Sequence, residues 1–211
     1  MIYLCLLACA TLIFAEWRGL QRLRTASKVV ASAAFVLLGA GAFGASPFHS
    51  WMVIGLVLGA VGDVALLGRS NRAFVGGLAA FLAGHIAYII ALAGLESPLY
   101  WIPYSGRIGI IAIAGGFIAL RWLWPNLGAL KLPVVLYVLA IVAMVVGAFA
   151  VQSTGGLPAP ERDYLAIGAA LFFLSDLAVA RDKFMVREFK NKLYGLPAYY
   201  VAQLLIASAI S

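Results

Sequence analysis

The chain has 211 residues, 64% of them hydrophobic and 11% charged, with a net charge of +7 and a mean hydropathy of +1.03. Soluble domains carry about 45–50% apolar and about 25% charged residues, so charges this sparse cannot clothe a water-facing surface. A soluble globular protein is excluded. In a membrane protein the basic excess marks loops on one side of the bilayer rather than a nucleic-acid partner, for which no motif is present.

Taken in order, eight apolar spans are predicted at 2–15, 29–45, 51–67, 74–95, 107–122, 132–151, 164–180 and 193–210. A helix needs about 20 apolar residues to cross a bilayer, so the shorter spans imply ends covered by neighbours. The first span lacks a basic n-region and a small-residue cleavage site, and Arg18, Arg22 and Arg24 follow it; it reads as a mature helix, not a leader. Its Cys5 and Cys9, four apart, read as small apolar residues on one helix face. In the fourth span Phe74, Gly77, Phe81, His85 and Tyr88 recur at three- and four-residue steps and share a face, with His85 near mid-bilayer.

Thirteen of the fifteen Lys and Arg residues fall in the first, third, fifth and seventh connections, and only Arg107 and Arg162 on the other side. The positive-inside rule then predicts an all-α, eight-helix polytopic bundle with both termini on the non-cytoplasmic side. The outer connections 96–106 and 152–163, rich in Gly, Pro and Ser, read as ordinary loops, and residues 1–211 form a single integral-membrane domain. Ile54-Gly55 precedes Asp63 as Ile167-Gly168 precedes Asp176, with the same step from Gly to Asp. This is either a trace of two parallel four-helix halves or the chance likeness of apolar helices.

Two carboxylates carry the chemistry. Asp63 and Asp176 each lie four residues before the basic-side end of a predicted span, about 6 Å deep at the helical rise. An intramembrane carboxylate costs about 2.5–3.5 kcal/mol at mid-helix and normally faces the bundle interior. The bland alternative is an acid snorkelling to water or paired with Arg69 or Arg181. Tyr199, Tyr200 and Gln203 of the last span, with Tyr88 and Tyr137, offer interhelical hydrogen bonds or site contacts. Ser175 beside Asp176 has no Gly-x-Ser-x-Gly surround, which speaks against a serine nucleophile. With only His49 and His85, and His49 in an outer loop, a zinc centre is not supported.

Gly62-Asp63 with Leu66, the Phe74-Gly77-Phe81-His85-Tyr88 face, Gly168-Ala169, Phe172, Ser175-Asp176, and Tyr199 with Ala202-Gln203 together resemble the YhhN family, bacterial proteins related to mammalian lysoplasmalogenase. Lys28 resembles the family's lysine at the start of the second helix, although Val29 follows where the family often has proline. The resemblance covers nearly the whole chain. It implies hydrolysis of the vinyl-ether bond of lysoplasmalogens to a fatty aldehyde and glycerophospho-ethanolamine or -choline, with no cofactor, in a bacterial inner membrane. The residues suit that chemistry: a proton donor for the vinyl ether and negative charge for the oxocarbenium-like cation, met in glycosidases by two carboxyl groups. Asp63, Asp176 and His85 are the expected catalytic set. Tyr88, Tyr199, Tyr200, Gln203, Ser175, Lys28 and Arg72 are the expected contacts to a lysophospholipid, the two cations to its phosphate. The alternatives are a proton-coupled carrier, since intramembrane Asp and His also form proton relays, and a hydrolase of other lysolipids.

Overall fold

The computed structural model describes residues 1–68 and 70–211; Arg69, counted above among the loop cations, lies outside them. Eight α-helices run as α1 (Ile2–Arg18), α2 (Gln21–Gly39), α3 (Pro47–Ala65), α4 (Asn71–Ala93), α5 (Trp101–Leu123), α6 (Lys131–Thr154), α7 (Ala159–Phe184) and α8 (Phe189–Ser208). The described residues contain no strand.

Local chemistry sets the ends. Gly19 and Gly155 take left-handed φ of 69° and 74° to stop α1 and α6. The Ser46 and Ser70 side chains accept backbone N–H bonds that open α3 and α4, and Pro47 follows Ser46 at the first helical position. Gly106, at φ 60° and ψ −142°, breaks α5 just after its opening turn, so its membrane-crossing part starts at Arg107 as the hydropathy predicts.

Among the described residues six helices, α2 to α7, are long and apolar enough to cross a membrane on their own. α1 has only 17 residues, and α8 opens with Lys190, Asn191 and Lys192 and carries Gln203 within it; both still pack into the same bundle. Hydropathy also misplaces several starts, those of α2 and α8 at the same end of the bundle among them. α2 begins at Gln21, not 29, and α8 at Phe189, not 193, because polar turns at the membrane edge continue the helix beyond its apolar run. Pro197 therefore lies inside α8 rather than near its start.

The helices close a ring in the order α2, α3, α4, α6, α7, α8 and back to α2, with α1 outside against α2 and α8 and α5 outside against α6 and the edge of α7. The pairings repeat: α1 on α2 as α5 on α6, α2 on α3 as α6 on α7, α3 on α4 as α7 on α8. One helix pair, α3 on α4, approaches closely over two glycines, Gly55 beneath the Tyr88 ring and Gly62 beneath Phe81. Large apolar side chains such as Leu7, Leu37, Phe117, Ile118 and Leu139 face outward, as they must where the surrounding solvent is hydrocarbon. The protein is an integral, multi-pass membrane bundle.

Four side-chain bonds gather the odd-numbered connections at one end. Arg24 reaches the Leu67 carbonyl, Lys183 donates to Asn71, Lys192 to Glu16, and Asn126 to Met185. This end holds nearly all the cations and is called the basic end below.

Candidate active site

A cavity of about 550 Å³ opens at the basic end and reaches into the ring, and both Asp63 and Asp176 line it. The depth expected from helix ends needs correction. Asp63 is two residues from the last of α3 and Asp176 eight from the last of α7, because α7 runs on past 180 to Phe184.

The two carboxylates have different company. Asp63 is buried, with Oδ1 3.0 Å from Lys28 Nζ and Oδ2 accepting the Ser32 hydroxyl at 2.6 Å; both partners come from α2. Asp176 Oδ2 accepts the Tyr137 hydroxyl of α6 at 2.7 Å and stands 3.9 Å from His85 Nε2 of α4. Its side chain keeps 18% of its surface accessible, through the cavity. Neither acid pairs with Arg181, which holds Asn191 and Glu188 instead.

His85 is fully enclosed, its ring 4.7 Å from Phe172 and 5.1 Å from Tyr137, both edge-on. Its Nδ1 lies 2.6 Å from the Phe81 carbonyl. A carbonyl only accepts, so Nδ1 carries the hydrogen and the neutral ring presents a bare lone pair at Nε2. That atom is buried with no hydrogen-bond partner among the described residues and sits on the Asp176 side. His85 itself does not line the cavity, lying behind Phe81, Tyr137 and Asp176, which do.

The other expected contacts divide. Tyr199 lines the cavity and its hydroxyl reaches the Gly59 carbonyl at 3.4 Å. Tyr88 and Gln203 do not line it: Tyr88 donates to Gln203 Oε1 at 3.1 Å, and Gln203 Nε2 donates to Tyr199, so they form an interhelical network. Tyr200 is buried against Tyr199 and Phe35, also off the cavity. Ser175 also lines the cavity, with its hydroxyl donated to the Gly195 carbonyl, pinning α7 to α8. Lys28 is not at the surface but is the buried counter-ion of Asp63. Arg72 is exposed and off the cavity, since the first turn of α4 points it outward.

The mouth instead carries Lys183 and Arg187 on its rim. Lys183 lies over the Phe74 ring, 4.5 Å from its centre, and Arg187 has no carboxylate partner among the described residues. Arg24 and Lys192 are also there, but both are taken by Glu16, at 2.6 and 2.7 Å. Sequence reasoning counted Lys183 and Arg187 only as loop charge. The length of α7 beyond its apolar run, which places Lys183 over the mouth, gave no hydropathy signal. No group of three or more metal-ligating side chains occurs among the described residues.

A family model described as the YhhN family matches residues 2–210. A Bos taurus protein named Lysoplasmalogenase TMEM86A is 32% identical over 168 residues, 76% of this chain and 65% of that protein. A Mycobacterium bovis protein named Lysoplasmalogenase is 34% identical over 169 residues, 75% of this chain and 59% of its own length. Human Lysoplasmalogenase TMEM86A is 31% identical over 176 residues, 80% and 68%. The chain thus spans about three fifths to two thirds of the length of the curated relatives it matches. No solved structure matches it.

Proposed function

The chain belongs to the YhhN family, and from that premise we propose that it is a membrane hydrolase that cleaves the vinyl-ether bond of lysoplasmalogens, releasing a fatty aldehyde and a glycerophospho-alcohol. The observation that carries the reading is Asp176 near the inner end of a cavity, bonded to a phenol on one side with the bare nitrogen of His85 on the other. The relatives' names support the substrate class.

Asp176 is the acid in this reading. Its partners are neutral, so it is the carboxyl free to carry a proton, which it delivers to the β-carbon of the vinyl ether. The resulting cation shares its charge between the α-carbon and the ether oxygen, beside the carboxylate just formed. Water adds to the α-carbon, and its surplus proton returns directly to Asp176, whose buried side faces Nε2 of His85. The hemiacetal then passes its hydroxyl proton to the departing glycerol oxygen and becomes the aldehyde. Asp176 ends as it began, and one water is consumed.

Asp63 keeps its charge against Lys28 and forms the polar wall on which the glycerol rests. Lys183 and Arg187 at the rim meet the phosphate. The basic end faces the cytoplasm, in the inner membrane of a bacterium, so the substrate comes from the inner leaflet. Purified protein in micelles is expected to release aldehyde from a lysoplasmalogen, and Asp176→Asn to stop it. Flux into proteoliposomes with no chemical product would replace this reading with a carrier.

A further inference from the structure

We propose that the cavity leaves the helix ring through the seam between α6 and α7, and that this apolar limb, roofed by α5, binds the hydrocarbon chain of a single-chain amphiphile. The proposal rests on the lysolipid reading above for the identity of its ligand. α5 stands outside the ring, yet its Ala119 and Leu123 line the same cavity as Asp176. Space bounded by both Asp176 and α5 has to pass between α6 and α7. There it meets Val134, Val138, Ala180 and Phe184, and all four belong with Leu123 to an apolar cluster separate from the main core.

The cavity is accordingly two-sided. The wall built by α1, α2 and α3 carries Glu16, Arg24, Lys28 and Asp63, whereas α5 and α6 contribute Tyr137 as their only polar lining residue. α5 and α6 offer a phosphate or ammonium there no partner but the Tyr137 hydroxyl, while a methylene chain loses nothing by leaving the bilayer for it. The repeat explains how the limb arises. α1 covers the α2–α8 seam from outside, whereas its counterpart α5 leans the other way, over α6 and the edge of α7. It is held to α6 by small residues, with Gly116 against Val138 and Val142. Its far face, with Ile110, Ile111, Phe117 and Ile118 exposed, is turned to lipid. The limb lies one helix away from the bilayer, on the path a chain would take to bring its first carbons to Asp176.

Two measurements test this on the full-length protein. A non-hydrolysable alkyl-ether lysophospholipid with a diazirine in mid-chain is photolysed on the wild-type protein in micelles. Adducts are expected at Ala119, Leu123 or Val138, and adducts confined to outer residues such as Ile110 and Phe117 would overturn the proposal. This readout is independent of turnover, so an absence of aldehyde release would fail the hydrolase reading without touching the chain site. Second, Ala119→Phe is expected to lower the ratio of long-chain to short-chain kcat/KM by about tenfold or more, as crowding of an apolar pocket does. Phe117→Ala on the outer face should leave that ratio unchanged. A ratio unaltered in both variants would also overturn it.

Discussion

Asp63 and Asp176 occupy corresponding places in two halves that pair their helices alike, on α3 and α7, and each takes a hydrogen bond from the helix before it. The α2–α3 position holds a lysine against its acid and the α6–α7 position a phenol. The same backbone location thus becomes a neutralised ion pair in one half and an acid with uncharged neighbours in the other. The shared helix pairing brings a carboxyl to the cavity from α3 and from α7; the residue facing it from the preceding helix sets whether its neighbour is a cation or a neutral donor.

The most direct way to break the comparison is Asp176→Asn. Aldehyde release is expected to fall about a thousandfold, within the range for loss of a general acid, with little change in thermal stability. The opposite pattern is expected on α2: Lys28→Met leaves Asp63 charged and buried with no counter-ion, only the Ser32 hydroxyl, costing about 3–5 kcal/mol. It should appear as a lower melting temperature in detergent, largely restored by adding Asp63→Leu. Equal kinetic losses at both sites with no stability difference would erase the distinction. His85→Gln sharpens it, with an expected loss of about a hundredfold in kcat. Tyr137→Phe removes one charged-group hydrogen bond and should cost about tenfold in kcat/KM, while the stability of the α2–α3 pair stays unaltered.

Much of the architecture was readable because hydrocarbon imposes a simple rule. The Phe74–Tyr88 face of α4 is the buried one, as its spacing demands, with Gly77, Phe81, His85 and Tyr88 all inward. The starts of α2 and α8 were not, since their first turns are polar and a hydropathy scale measures lipid, not helix. Within the site, intramembrane cost singled out both acids, but their partners are tertiary facts. Nothing in the sequence order marks Lys28 rather than Arg69 for Asp63, or Tyr137 rather than Arg181 for Asp176. Arg72 lies off the cavity for a local reason: a residue in a helix's first turn points by phase, and charge alone carries no phase.

Both acids draw their donors from upstream: Lys28 and Ser32 precede Asp63, and Tyr137 precedes Asp176. A ribosome therefore delivers each donor into the translocon before the acid it will meet, and neither carboxyl has to wait in the lipid for chain not yet made. A nascent polypeptide stopped after α4 is expected to insert α3 as efficiently as the complete chain does, read by glycosylation mapping, and to lose that efficiency with Lys28→Met.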